Sequence, residues 1–315
     1  MKKYTLYFII FIFLLSSCKK SKRTTCSATL YGFNGILHPS AGGLYDTSTG
    51  NFGVINETTG TASTIATFTS LIFTNQGAYN TSDNCYYTLN PSSLVKVSTT
   101  GTVTTIPYSG TYNGFQGLLY NQFSNKLFAM KLNTGSGTGT ALVEIILSGA
   151  SFTDASPVST LGTEQFASPV STTVDNATGN IYYSLSNISS YTFNIEKYAP
   201  GATTPVLVTS ISDGDIIGLQ FNKTDNMLYA IKEDTTGGQQ FIRIDPGSGA
   251  ITAIATVSGI NNEFYSTAID PCSNQYLVTS MIDTGTSTFG SLTSTGTVTL
   301  HDTVAGIIQG MAIAP

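Results

Sequence analysis

Residues Gly218–Val257 read GLQFNKTDNMLYAIKEDTTGGQQFIRIDPGSGAITAIATV. Four short runs of apolar or β-branched residues stand out: Leu219–Phe221, Met227–Ile231, Phe241–Ile244 and Ile251–Val257. Between them lie Asn222–Asn226, a loop with Gly237-Gly238, and Asp245-Pro246-Gly247-Ser248-Gly249. Gly supplies positive φ, Pro presets a turn, and Asn or Asp side chains bond the backbone two residues on. The stretch therefore predicts a four-stranded antiparallel meander.

The first half of this unit recurs along the chain. An inner strand ending in Asn or Asp is followed by a turn with Asn near its end, at Asn80–Asn84, Asn121–Asn125, Asp175–Asn180, Asn222–Asn226 and Asp270–Asn274. A second strand rich in apolar and aromatic residues follows each: Tyr86-Tyr87, Leu127-Phe128, Ile181-Tyr182-Tyr183, Leu228-Tyr229 and Tyr276-Leu277. The openers are spaced 41 (80 to 121), 54 (121 to 175), 47 (175 to 222) and 48 (222 to 270) residues apart. Four strands per unit at a period of about 40–50 residues is the pattern of a β-propeller.

The ends carry a second repeat. Thr288-Phe289-Gly290-Ser291-Leu292 with Ser294-Thr295-Gly296-Thr297 echoes Asn51-Phe52-Gly53-Val54-Ile55 with Thr58-Thr59-Gly60-Thr61. Residues near 44–68 thus read as outer strands of a blade without its own inner strand. The final Gln309-Gly310-Met311-Ala312-Ile313 resembles an inner-strand start such as Gln116-Gly117-Leu118-Leu119-Tyr120. The expectation is an all-β, six-bladed propeller of four-stranded antiparallel blades, closed by the C-terminal strand joining the N-terminal blade. Closure removes the open edge. In a second register, Leu44–Phe52 matches the hairpin Val174–Ile181, Leu30–Phe33 begins another partial blade, and the count becomes seven.

This pattern resembles the six-bladed propellers of the TolB-like and NHL-like superfamily, over nearly the whole chain after the N-terminus. Asp245-Pro246-Gly247-Ser248-Gly249 is similar to the D-P-x-T-G turn of many propellers. No WD dipeptide and no kelch double-glycine repeat is present.

The N-terminus has a different character. Lys2 and Lys3 precede a mostly apolar run, Tyr4–Leu15, of 12 residues. That is too short for a spanning helix, which needs roughly 20, and has the form of a signal peptide. It ends in Leu15-Ser16-Ser17-Cys18, which resembles the lipobox of bacterial lipoproteins. The resemblance implies a signal peptide over 1–17, an acylated (palmitate-bearing) Cys18 as mature N-terminus, a basic tether within 18–29, and a propeller over 30–315. Surface-exported lipoproteins of Bacteroidota usually carry acidic residues after that Cys. Lys19-Lys20-Ser21-Lys22-Arg23 is basic. A periplasm-facing position at the outer membrane is therefore expected, with surface exposure the alternative. The lipid bilayer, through acylated Cys18, is the first expected partner.

Composition narrows the partners. Only 10% of the 315 residues are charged, the net charge is −5 and the pI about 4.9. Without a basic stripe, nucleic acid is not an expected partner. Cys26, Cys85 and Cys272 remain after Cys18, so one pair can bridge in an oxidising compartment. All three pairings are open. Cys26 sits on a flexible lead-in running near the seam where the last repeat meets the first, which favours Cys26–Cys272. Three free thiols are the competing reading.

Propeller sites usually lie where a fourth strand returns to the next inner strand. Those returns carry Gln76, Gln116, Glu164, Gln165, Asp213, Asp215, Glu263, Tyr265 and Gln309. Together they would line a polar channel mouth with four carboxylates, able to take a polar ligand or a cation. Gly117, Gly218 and Gly310, with Ser171 and Ser266, would let six strands crowd the axis. Gluconolactonase-type enzymes share the architecture and use a Glu, Asn and Asp set on inner strands, but here Asp175 and Asp270 already open turns. Streptogramin-lyase-like propellers need a His. His38 reads as part of the lead-in and His301 as the end of an outer strand. No catalytic residue and no cofactor is assigned, and the metal ligands are unknown. The expected function is a membrane-anchored envelope lipoprotein whose propeller binds or assembles a protein or glycan. The alternative is a lactonase-like hydrolase or lyase using the mouth carboxylates, with or without Ca²⁺.

Overall fold

The computed structural model describes residues 26–39, 45–68, 76–90, 93–110, 114–131, 141–155, 159–160, 165–187, 192–260 and 266–315. Of the side chains in its strands, those of 37–39, 45–49, 159–160, 165–171, 187 and 302 are not described. The expected leader, Cys18 and the expected tether through Thr25 lie outside the described residues.

Six antiparallel sheets are arranged around an axis. Blade 1 contains β1 (Thr29–Pro39), β2 (Tyr45–Val54) and β3 (Ala66–Phe68). Blade 2 contains β4 (Gly77–Asn80), β5 (Cys85–Asn90), β6 (Ser93–Ser98) and β7 (Val103–Pro107). Blade 3 contains β8 (Phe115–Asn121), β9 (Lys126–Lys131) and β10 (Ala141–Ser148); its outer place is shared by β11 (Ser151–Asp154) and β12 (Ser159–Thr160). Blade 4 is β13 (Gln165–Val174), β14 (Ile181–Asn187), β15 (Thr192–Tyr198) and β16 (Val206–Ile211). Blade 5 is β17 (Asp215–Asn222), β18 (Met227–Glu233), β19 (Gln239–Ile244) and β20 (Ile251–Val257). Blade 6 is β21 (Ser266–Ile269), β22 (Tyr276–Asp283), β23 (Thr286–Leu292) and β24 (Val298–Ala305).

The inner place of blade 1 is filled by β25 (Ile307–Ala314), which pairs antiparallel with β1 from Thr29↔Ala314 to Gly35↔Ile307. The inner strands then touch in a closed circuit: β25, β4, β8, β13, β17, β21 and back to β25. The ring has six blades, and the seven-bladed register is excluded. Leu30–Phe33 lies in β1, the second strand of blade 1, because Phe33 pairs with Phe52 of the same sheet. His38 is also in β1 rather than in a lead-in. His301 lies inside β24, its ring 6.5 Å from that of Phe289.

Two local devices explain the strands' placement. In five of the blades the first turn is an Asx turn: the opening side chain of Asn80, Asn121, Asp175, Asn222 or Asp270 accepts a backbone N–H two or three residues on. Four residues after each opener the backbone is left-handed, at Asn84 (φ 53), Asn125 (φ 57), Gly179 (φ 78), Asn226 (φ 59) and Asn274 (φ 58). Asn and Gly tolerate that region best. Along the middle strands, alternate side chains serve opposite blade interfaces. In β18, Leu228 and Ala230 pack toward blade 4, while Tyr229 and Ile231 pack toward blade 6. Each such buried aliphatic side chain contributes about 1.5–3 kcal/mol, which is why the second strands read apolar on both faces.

Two faces result. The turn face carries the turns from first to second strand and from third to fourth. The return face carries the second-to-third loops and the passages from each fourth strand to the next inner strand.

Candidate functional site

Four inner strands shift register as they pass the axis: β13 between Ala167 and Thr172, and three others at a glycine. In those three the shift falls between Gln116 and Leu119, between Ile217 and Gln220, and between Gln309 and Ala312. The residues at the shift are Gly117, Gly218 and Gly310, with φ of 61, 67 and 60. A Cβ at Gly218 would sit 2.3 Å from the Tyr276 hydroxyl, and one at Gly310 would sit 2.4 Å from that of Tyr86. The glycines let buried tyrosines reach the axis. Tyr276 donates to Gly218 O at 2.6 Å, and Tyr86 donates to Gly310 O.

The axial cavity is small, about 160 Å³, and all six inner strands line it. Hydrogen bonds bridge it. Gln76 Nε2 donates to Thr172 O at 2.7 Å. Thr172 Oγ1 lies 2.6 Å from Gln76 Oε1 and 2.9 Å from Gly117 O. These residues tie blades 2, 3 and 4 together. Across the ring, Gln220 Nε2 donates to Thr267 O (3.2 Å) and Thr267 Oγ1 (3.1 Å). Ser266 Oγ accepts the Met311 N–H at 2.7 Å.

Of the expected mouth residues, Gln76 lines this cavity, while Gln116 and Gln309 do not. Gln309 is only 1% exposed, and neither its Oε1 nor its Nε2 has a hydrogen-bond partner. Gln116 Oε1 is likewise buried without one. Gln309-Gly310, Gln76-Gly77 and Gln116-Gly117 lie at or near the start of the inner strands of blades 1, 2 and 3. Three adjacent blades therefore present amides at the same step of the strand. Asp213 turns away: it is ion-paired with Lys232 at 2.8 Å and its side chain is 70% exposed. Asp215 is half-buried and lies across the strand pair from Glu233. Burial pushes its carboxyl up to about 6; the Ile216 N–H pulls it down and Glu233 pushes it further up. Glu164, Glu263 and Tyr265 lie outside the described residues, as does the Gln165 side chain. Among the described residues, no three His, Cys, Asp or Glu side chains gather as a metal would require.

Two clusters were missed in the sequence. On the return face, Lys131 Nζ lies 2.8 Å from Asp154 Oδ2 and 3.3 Å from the Tyr108 hydroxyl, which itself donates to Asp154. Burial pushes the Asp154 carboxyl up, but the Lys131 and Tyr108 hydrogen bonds outweigh it and hold the group below its ordinary range. Phe115 and Phe152 pack against Tyr108, so this is a half-buried strut between blades 2 and 3. On the turn face, Cys26 is disulfide-bonded to Cys272, as the lead-in geometry favoured. Cys85 is free and buried. Beside the bridge, a cavity of about 470 Å³ is lined by Glu57 and Asp270. Burial, and then Asp270, push the Glu57 carboxyl up to about 7. Asp270 and Glu57 are 213 residues apart (270 − 57), and only ring closure brings them together.

No protein-family model matches the chain, and no curated protein matches it. Solved structures do. A chain of the nidogen/laminin complex superposes with a TM-score of 0.65 at 14% identity, covering 92% of this chain and 99% of that one. A protein assigned as TolB from Agrobacterium tumefaciens gives 0.58 at 12%, covering 90% and 91%. A protein assigned as a 6-phosphogluconolactonase from Bacteroides uniformis gives 0.55 at 12%, covering 91% and 99%. At these identities the likeness shows the propeller fold alone.

Proposed function

We propose that the protein is a lipid-anchored envelope lipoprotein whose propeller binds a protein or glycan at the return face. The observation that carries this reading is the run of amides in blades 1 to 3, with Gln309 buried and both of its polar atoms unpaired. A buried unpaired polar group costs about 1–3 kcal/mol. An amide both donates and accepts, which suits neutral polar groups such as sugar hydroxyls or peptide units. The axis itself is already bridged by Gln76–Thr172 and Gln220–Thr267. Recognition therefore falls at the mouth and not within the channel. The test is a glycan and peptide array probed with the full-length protein and with Gln309→Met and Gln116→Met variants of unchanged melting temperature. Selective loss of a ligand in both variants supports the reading. Ligand binding that both variants retain in full refutes it.

A second reading rests on Asp215. A carboxyl raised to about 6 at the mouth can exchange a proton near neutral pH, as a hydrolase needs. One fold neighbour is assigned as a lactonase. Hydrolysis of a lactone panel that Asp215→Asn abolishes, with Gln309→Met still active, would favour this reading over the first.

A further inference from the structure

The chain enters the ring at a defined place. β1 pairs with the end of β25, Thr29 opposite Ala314, so its first residue lies on the turn face. Cys26 is bridged to Cys272, which sits in the turn between β21 and β22, on the same face and next to the axis. We infer that the Cys26–Cys272 bridge orients the ring on the membrane: it holds the turn face toward the lipid headgroups and presents the return face, with its channel mouth, to partners. The inference rests on the acylated Cys18 proposed above.

Lengths make the case. Eight residues separate Cys18 from Cys26 (26 − 18), a reach of at most about 29 Å when fully extended. To lay the return face on the bilayer, the tether would have to run from the axis to the rim and then down the outside of a blade. The rim is three strand spacings of about 4.8 Å away, and strands of 7–8 residues are roughly 23–26 Å long. That path is roughly 37 Å, longer than the tether. Without the bridge the free segment runs from Cys18 to Thr29. Its 11 residues (29 − 18) reach about 40 Å. The starting point also moves out to the second strand, and the path shortens to roughly 33 Å. The bridged ring cannot turn over; the unbridged ring can.

The chain contains no Trp, so single tryptophans report position without further engineering. Phe123, 59% exposed, is on the turn face, and exposed Thr235 is on the return face. Full-length lipidated Phe123→Trp and Thr235→Trp proteins are reconstituted into vesicles carrying a dansyl headgroup lipid, and energy transfer to dansyl is read. Strong transfer from position 123 and several-fold weaker transfer from 235 is the expected result. Adding Cys272→Ser brings the two toward equality. If that variant does not fold, eight Gly and Ser residues inserted between Thr24 and Thr25 leave the bridge in place and produce the same equalisation. Equal transfer from both positions in the bridged protein overturns the inference, as does unchanged asymmetry after the insertion. Protein that fails to float with the vesicles overturns the lipid anchor, and with it this orientation; floating protein with equal transfer overturns the orientation alone.

Discussion

Loss of the Cys26–Cys272 bridge should lower the stability of the ring by far more than the contacts of Cys26 itself are worth. Residues 26–28 lie outside the sheets, so little native packing goes with them. The effect resides in the unfolded chain. The bridge closes a loop of 246 residues. Chain entropy assigns such a loop about 5 kcal/mol at 25 °C, near the upper end of what disulfides deliver. With an unfolding entropy of about 2.1 cal/mol/K per residue over roughly 290 residues, that corresponds to a fall in Tm of about 8 °C. Thermal unfolding of the full-length protein followed by circular dichroism reads this directly, comparing wild type with Cys26→Ser. Dithiothreitol should lower the wild-type midpoint by the same amount and leave the Cys26→Ser midpoint where it is. A variant melting within about 2 °C of wild type would show that the linkage does not restrain the unfolded chain, and the reasoning would be wrong.

Two further perturbations follow from the described geometry. The Glu57 carboxyl is raised from its ordinary 4.5 to about 7, so the folded chain holds that proton more tightly than the unfolded chain does. Its contribution to stability is complete below pH 4.5 and is lost as the pH rises toward 7. Because the side chain is half-buried, solvent screening holds the effect to about 1 kcal/mol. Glu57→Gln should therefore raise the melting temperature at pH 8 and flatten the decline between pH 5 and 7 in a pH series of melts; an unchanged slope would count against the Asp270 contact. Gly218→Ala places a methyl 2.3 Å from the Tyr276 hydroxyl at a φ of 67. Left-handed strain and a broken buried hydrogen bond together predict a loss of about 3 kcal/mol in urea unfolding. Gly201→Ala, also at positive φ but with nothing within 4 Å, should lose only about 1 kcal/mol. Equal losses would show that the approach of Tyr276 is not what the glycine protects.

The ring was legible in the sequence because its signals are local. An Asx turn is written in one residue and its left-handed close in another, so five blades announce themselves. Ring closure was legible because Gln309-Gly310-Met311 repeats Gln116-Gly117-Leu118, and both prove to be the same bulge. The blade count was not settled, because Leu44–Phe52 carries the turn residues of two different hairpins; only the pairing of Phe33 with Phe52 decides between them. The site was the least legible part. Gln76 and Thr172 meet across the axis at a separation of 96 residues. Nothing local tells whether the amide of a Gln-Gly pair will cross the channel, as at Gln76, or be buried without a partner, as at Gln309. Asp270 was read as a turn opener, which it is, since it accepts the Cys272 and Ser273 N–H groups. That role gave no hint of its second neighbour, Glu57.

The low charge of the chain has a structural reason in how neighbouring blades are joined. On the turn face the stitches are short and neutral: Ser82 Oγ to Asn125 Oδ1 at 2.7 Å, Asn121 Nδ2 to Gly179 O at 2.9 Å, the Gln122 N–H to Asn176 Oδ1 at 2.9 Å, and Thr224 to Asn274. The axis uses the same vocabulary of Gln, Thr and Ser. Ion pairs at these places would have to be desolvated between tightly packed blades, at a cost their attraction does not always repay. A hydroxyl or amide costs far less to desolvate than a charge and has few rotamers to lose. Ser, Thr and Asn thus do twice over what the ring requires: they turn the strands within a blade, and they hold one blade to the next.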